Sequence, residues 1–466
     1  MEKNGFRFGI VSGKLGDVDG VSLETAKWID VLIKQGHEIF TIAGRYASEL
    51  KNVPSENQIP CEEIQFGSPE QIYYEKLVFP HLYRRSPHIS EDRRKEITDQ
   101  LEIEGNEVSN TLLEIVQGYD IDAIIAQNTN AMPMTLLGGI GVYKLATERR
   151  IATIFHHHDF WWERSRFSNN HIESLLSRIM PPSDPGLEHV VLSSYAAHIL
   201  RSIKRVQPWV IPNCEDFTHA VALDDYNRTF RSEFGFSNDD LLIVQPTRIV
   251  RRKRIEDALH LVEELIKAYP ELGKKIHVII SLYQGDEPDE NYLEEILDLS
   301  RKLGIALHLI SDRVSARRGV DAEGRMLFTN RDVLANADLV TYLPLWEGFG
   351  NAYLEAVAAR APVAISTYLV YKTDLKIMGF QNLEILDSYD DRGNLIISDH
   401  VVHQAHAILT DSKARKTMTD TNFDIGRRLF GFQTLYRLLE GVVDDYSDEI
   451  RASRKRIRKS KASYSV

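Results

Sequence analysis

From its first residues the chain alternates short β-branched runs with longer amphipathic stretches, and few folds accommodate that pattern. An apolar run bounded by turns and followed by a helix-period segment reads as one βα unit. A series of such units builds a parallel sheet covered by helices on both faces. The first series of runs is Arg7–Ser12, Glu38–Ala43, Asp122–Gln127, Ile151–His156, His189–Ser193 and Trp209–Ile211. The second is Leu241–Thr247, His277–Leu282, Leu307–Ser311, Leu339–Leu343, Pro362–Ser366 and Leu383–Leu386. The expected class is therefore α/β, with two doubly wound domains facing each other across a cleft. Ligands of open sheets of this kind sit outside the carboxyl ends of the strands, which is where chemistry is sought below. The join falls near Pro212–Asp240, and 466 residues suit two or three domains.

Composition narrows the partners. Lys+Arg number 56 against 68 Asp+Glu, a net charge of −12, which argues against a general nucleic-acid binder. Two cysteines, Cys61 and Cys214, exclude a disulfide scaffold and fit a reducing compartment. The N-terminus lacks the apolar core of a secretory signal, and the most apolar window, Ala131–Ala146, is broken by glycines and Lys144. A soluble, cytoplasmic protein without a transmembrane segment is expected. Residues 66–100 fit neither period and read as an insertion, bounded at about 46–101, of the sort that shapes a ligand site. The charge-rich stretch from Asp444 to Lys459 reads as a solvated helix with a frayed, basic end.

Four segments carry groups suited to chemistry. In Tyr342-Leu-Pro-Leu-Trp-Glu347-Gly348-Phe349-Gly350-Asn351, continuing to Glu355, a buried strand enters a glycine loop and then a helix whose first amides suit a phosphate. Its two carboxylates, eight residues apart, suit hydroxyls on two parts of one elongated ligand. The second segment, Arg248-Ile-Val-Arg251-Arg252-Lys253-Arg254, sets a basic cluster between a strand and a helix, with Arg251, Arg252 and Arg254 reading as solvated charges. In the third, a strand delivers His156, His157, His158 and Asp159, then Trp161, Trp162, Arg164 and Arg166. Adjacent strand residues alternate faces, so three neighbouring histidines do not converge on one metal ion. The tryptophans suit a sugar face and the arginines an anionic acceptor. The fourth is the loop Val11–Ser22, with Lys14, Asp19 and Gly20, which lacks both the P-loop and the G-x-G-x-x-G spacings. Asp17-Val18-Asp19 and Asp120-Ile121-Asp122 match the D-x-D manganese pattern, but in an opening loop and at a strand entrance. No metal ligand is assigned.

The Glu-Gly-Phe-Gly loop followed by Leu-Glu-Ala is similar to the E-x(7)-E signature of retaining glycosyltransferases of the GT-B fold, most like glycosyltransferase family 4. The resemblance implies a domain for the acceptor at 1–213, one for the nucleotide sugar at 214–425, and C-terminal helices from 426 to 466 that cross back onto the first. It implies that Glu347 lies at the donor sugar, Glu355 holds the ribose, and Arg248 and Lys253 meet the diphosphate in an R-x(4)-K pair. It also implies that amides at Gly20, Phe349, Gly350 and Asn351 approach the donor. The histidine beside the donor sugar matches His158, since Asp159 follows it, with His156 next. Catalysis would thus rest on His158, Glu347, Arg248 and Lys253. Lys14, Asp19, Trp161, Trp162, Arg164 and Arg166, with Arg84 and Arg85, are the acceptor candidates.

The implied reaction moves mannose or glucose from a nucleotide sugar, GDP-mannose or UDP-glucose, to a hydroxyl of a small anionic acceptor such as a glycerate glycoside. It proceeds by same-face substitution with no required cofactor. The Asp-Gly-Val-Ser opening and the His-His-His-Asp run look like those of mannosyltransferases that make compatible solutes. Nothing in the sequence argues against a homodimer or a non-essential magnesium ion. The rival expectations are a nucleotide-sugar 2-epimerase of the same fold and a non-catalytic two-domain sugar-binding protein.

Overall fold

A computed structural model describes residues 5–17, 19–80, 88–218, 221–283 and 291–464, with side chains as far as 459. Arg84 and Arg85 lie outside the described residues. The chain divides into two compact units, Met1–Pro212 with Gln433–Val466, and Asn213–Phe432.

The first unit holds β1 (Arg7–Ser12), β2 (Glu38–Ala43), β3 (Gln58–Pro60), β4 (Ala123–Gln127), β5 (Ala152–His157), β6 (Glu188–Val191) and β7 (Trp209–Val210). They form one sheet in the order β3-β2-β1-β4-β5-β6-β7, with every neighbouring pair parallel. The second unit holds β8 (Leu241–Gln245), β9 (Ile276–Ile280), β10 (Ala306–Leu309), the hairpin strands β11 (Gly319–Val320) and β12 (Met326–Leu327), β13 (Leu339–Tyr342), β14 (Val363–Ser366) and β15 (Leu383–Ile385). Its parallel sheet runs β10-β9-β8-β13-β14-β15. Phe8, Ile10 and Val11 of β1 and Leu242, Ile243 and Val244 of β8 are fully buried, as strands covered on both faces must be.

Each order reverses at its middle. β4 lies beside β1, and β13 beside β8, although whole βα units separate them in the chain. Crossovers on either side of such a point leave in opposite directions, so the loops at the carboxyl ends there splay apart. The loops after β1, β4 and β5 and those after β8 and β13 carry nearly every candidate residue named above.

The described residues of 66–100 are largely helical, where the sequence shows no clear period. Ser68 caps a helix at Pro69–Val78, its side chain accepting from the Gln71 amide, with proline at the first position. Ser90 likewise caps Glu91–Gly118, a helix of 28 residues. That helix buries Ile97, Leu101, Gly105, Val108, Leu112 and Val116, about one residue per turn, and the charges between them conceal the period. β3 adds the edge strand, where Pro60 needs no sheet partner for its nitrogen.

The C-terminal stretch also departs from expectation. The helix Ser447–Tyr464 is solvated along one side only. Ile450, Ser453 and Ile457 are buried on one face. The Ser453 hydroxyl accepts from the Ala152 amide (3.2 Å), and Tyr446 Oη accepts from the Thr153 amide (3.2 Å) while donating to the Gly186 carbonyl (2.7 Å). Arg454 makes a fork on the buried Asp122 carboxylate, its Nε 2.7 Å from Oδ1, which binds the last helix to the entrance of β4. Asp122 is thereby an ion-pair partner and not half of a manganese motif. Residues 426–432 stay with the second unit, where the helix Ser412–Phe430 ends.

Ile450→Ala should remove about 2–5 kcal/mol from the first unit, as expected for a buried branched side chain. Urea denaturation reads it, and a loss below about 0.5 kcal/mol, the scale of a surface change, would mean that the helix is not docked.

Candidate functional site

The basic cluster and the glutamate loop of the second unit meet because β8 and β13 are neighbours in its sheet. The Leu345 amide donates to the Arg252 carbonyl (2.9 Å), joining the two loops. Gln245, the last residue of β8, accepts from Thr341 Oγ1 of β13 (2.7 Å) and donates to Thr247 Oγ1 (3.0 Å). On this frame Glu347 Oε1 accepts from Arg252 Nη1 (2.6 Å) and from Lys253 Nζ. The Lys253 ammonium also lies 5.4 Å from the centre of the Tyr342 ring. Burial brings Lys253 down to about 8; Arg252 and Arg248 push the same way, and Glu347 opposes them. Lys253 therefore keeps its proton at neutral pH, surrounded by two guanidinium groups and one carboxylate.

Arg252 is a correction to the sequence reading, which counted it among the solvated charges. Its side chain is only 18% exposed and shares one carboxylate oxygen with Lys253. Arg254 is likewise tied down, with Nε 2.7 Å from Asp257 Oδ2. Arg251 pairs with Glu295 at the surface. Nothing in a run of four consecutive cations marks which of them turns inward.

The loop after β13 is shaped by Gly350, whose φ of 134° is open to glycine almost alone. A Cβ there would lie 2.7 Å from Tyr368 Oη, which donates to the Phe349 carbonyl (2.6 Å). Phe349 is buried. Gly350 then caps the helix Asn351–Ala358 without a side chain, leaving that N-terminus suited to an anion. Asn351 bonds Asn213 through its Oδ1. Glu355 Oε2 accepts from Asn330 Nδ2 (2.7 Å), and Asn330 Oδ1 from Ser281 Oγ (2.8 Å). Glu355 thus has a neutral partner of its own in Asn330.

In the first unit, His156, His157 and His158 point alternately, as strand geometry requires. His157 lies against His189, their ring nitrogens 3.0 Å apart, on the opposite face from its neighbours. His156 is buried, whereas His158 stands just beyond the end of β5 and is half-buried. Burial lowers His158 to about 4 against the pull of Asp159 and Asp19, so it is neutral at pH 7.

Several acceptor candidates have other tasks. Trp161 is a core residue, buried among the apolar side chains of the first unit, with its indole N–H donating to the Met180 carbonyl (2.8 Å). It cannot offer a face to a sugar. Trp162 stacks on Phe160 at 4.7 Å. Arg164 donates to Asp159 Oδ2 from Nε (3.0 Å), and Arg166 lies over the Phe167 ring at 4.5 Å. Asp19 caps the helix Gly20–Lys34, accepting from the amides of Val21 (3.0 Å) and Ser22 (3.1 Å). Those two amides are therefore already satisfied, and Gly20, the residue the loop reading singled out, serves as the first helical residue. Lys14 lies 2.9 Å from Asp17 and 3.2 Å from Asp19, so two carboxylates flank an ammonium expected to draw an anionic acceptor.

No family model matches the chain. Over 443 residues it is 29% identical to mannosylglucosylglycerate synthase of Thermotoga maritima, covering 92% of this chain and 97% of that protein. It is 28% identical over 447 residues to the enzyme of the same name from Petrotoga mobilis, covering 91% and 97%. Among solved structures, Anabaena HepE in complex with UDP and glucose superposes with a TM-score of 0.61 at 13% identity, covering 94% of this chain and 99% of that one. WaaG, a glycosyltransferase involved in lipopolysaccharide biosynthesis, gives 0.58 at 13% identity, covering 94% and 99%. The fold is GT-B.

Gly350→Ala tests the loop. Strain at φ 134° should cost the second unit about 1–3 kcal/mol, measured by chemical denaturation, and unchanged stability would show that Tyr368 does not pin the turn.

Proposed function

We propose that this GT-B protein is a glycosyltransferase that moves a hexosyl unit, mannose or glucose, from a nucleotide sugar to a hydroxyl of a small anionic acceptor such as a glycerate glycoside. The configuration of the anomeric carbon is retained. The observation that carries this reading is the convergence of Lys253 and Arg252 on Glu347, with Arg248 close enough to Lys253 to lower its proton affinity. Likeness to two mannosylglucosylglycerate synthases along nearly the whole chain favours transfer over epimerisation or sugar binding alone. It also supports placing the chain with the family 4 enzymes. Two buried free cysteines suit the cytoplasm.

The chemistry asked of the protein is electrostatic. As the bond from anomeric carbon to phosphate oxygen breaks, negative charge grows on the diphosphate and positive charge on the sugar. The acceptor oxygen bonds to the same face, and its proton passes to the departing phosphate oxygen. Each cation within 4 Å of the phosphate contributes up to about 4 kcal/mol before desolvation. Arg248, Arg252 and Lys253 together would meet the leaving group without a divalent ion. Magnesium, where present, would assist without being required. Glu347, while bonded to two of these cations, orients donor hydroxyls and favours the cationic sugar. Glu355, bonded to Asn330, takes the ribose, and the first amides of the helix Asn351–Ala358 face the diphosphate. In the first unit, His158 binds a donor-sugar hydroxyl. Trp162, Arg164 and Arg166 remain the acceptor candidates, with Lys14 and Asp19 acting as a pair.

Thermal shift with GDP, UDP and ADP sugars should single out one donor, since a ligand at 100 times its dissociation constant adds about 2.7 kcal/mol. Glu347→Ala and Lys253→Ala should each lower turnover about 10²–10³-fold, with activity in the unmodified enzyme undiminished by chelator. Near-normal turnover in both variants would refute the assignment.

A pH experiment isolates Lys253. Its ammonium loses its proton near pH 8, so affinity for the nucleoside diphosphate should fall about tenfold between pH 7 and pH 9. The fall should vanish in Lys253→Arg, whose guanidinium stays charged. Calorimetric titration with the diphosphate across that range reads it.

A further inference from the structure

We propose that Gln127 is a positioning residue that holds the His158 ring so that its Nδ1 lone pair, and not an N–H, is presented to a substrate hydroxyl. The proposal rests on the donor-sugar role given to His158 above, and it deepens that role by naming the kind of group His158 can accept.

Gln127 is the last residue of β4, and the sheet register sets it opposite His156 of β5. Its side chain is fully buried. His156 and His158, two residues apart, share the face of β5 that meets it, with ring centres 4.4 Å apart. Gln127 Oε1 lies 2.8 Å from His156 Nδ1 and 3.3 Å from His158 Nε2. An amide oxygen only accepts, so each ring must carry its hydrogen on the nitrogen facing Gln127. A neutral imidazole has one N–H, which leaves Nδ1 of His158 as a bare acceptor.

Both rings are held neutral, and neither can readily turn. Burial lowers His158 to about 4, against the opposite pull of Asp159 and Asp19. Burial also lowers His156 well below its ordinary value, with His158 and His157 acting in the same direction. His156 is stacked on Trp28, ring centres 4.1 Å apart at 19°. The turn bearing His158 is clamped by Asn128, which sits in the left-handed region at φ 57°. The Asn128 amide donates to the His156 carbonyl (2.9 Å), its Oδ1 accepts from the His158 amide (3.0 Å), and its Nδ2 donates to Asp159 Oδ1 (3.2 Å). Backbone and ring are thus fixed separately, the first by Asn128 and the second by Gln127.

The consequence is selectivity. A bare ring nitrogen near the carboxylates of Asp159 and Asp19 repels a phosphate or carboxylate oxygen and accepts from a hydroxyl. His158 then recognises a sugar O–H and leaves anionic groups to other residues.

Ring-nitrogen NMR of the unmodified protein tests the central point without any turnover, with His158 assigned by the signal lost in His158→Asn. The expected result at pH 7 is a neutral ring protonated at Nε2. A ring protonated at Nδ1, as would follow if the amide nitrogen of Gln127 faced the two histidines, overturns the proposal. Gln127→Leu should mix the tautomers and lower kcat about 10- to 100-fold, the scale of a small misplacement, while the dissociation constant of free nucleoside diphosphate stays constant. Unaltered tautomer and kcat in Gln127→Leu would also overturn it. A protein that transfers no sugar at all would sink the functional reading above, and the tautomer would still decide the placement of His158.

Discussion

Parallel pairing is the constraint on which the other features depend. A parallel strand cannot be followed by a tight hairpin to its neighbour; the chain must return through a crossover, here usually helical. Within each unit every carboxyl end of the main sheet therefore lies along one edge. Polar residues placed just after a strand accumulate there whatever their distance in sequence. Lys253 and Glu347 meet through the neighbours β8 and β13, and Gln127 and His158 through β4 and β5.

The two units use that edge in opposite electrostatic ways. The second gathers cations around a carboxylate, at a desolvation cost visible in the lowered proton affinity of Lys253. A buried pair of this kind is seldom stabilising on balance, and its place in the structure is better explained by the anion that would replace or join the carboxylate. The first unit gathers neutral imidazoles and amides, with its carboxylates already bonded to Arg164 or to helix amides. One edge is suited to holding a charge, the other to reading hydroxyls.

The fold was largely legible because buried parallel strands are short β-branched runs, and the twelve read from sequence lie within about two residues of observed strands. What escaped notice had weak patterns. β3 is three residues ending in proline. The helix Glu91–Gly118 buries about one side chain per turn, and the last helix hides Ile450, Ser453 and Ile457 among charges. In the site, the spacing of Glu347, Glu355, Arg248 and Lys253 could be read directly. Arg252 could not be told from its neighbours, nor could Trp161, a core residue, be told from Trp162 beside it. Each distinction depends on which way a side chain points out of a short turn.

The sequence by itself determined the doubly wound α/β class, the approximate place where one series of strands gives way to the next, and the residue types that end those strands. Those features are local, written in hydrophobic period and in the identity of loop residues. Only the tertiary structure decided which charges are neutralised, such as Lys14 between Asp17 and Asp19, which aromatic rings are buried, and which nitrogen of His158 faces Gln127. These depend on neighbours brought in from strands far away in the chain. Proton affinity, burial and hydrogen-bond direction are properties of that three-dimensional neighbourhood and not of the residue.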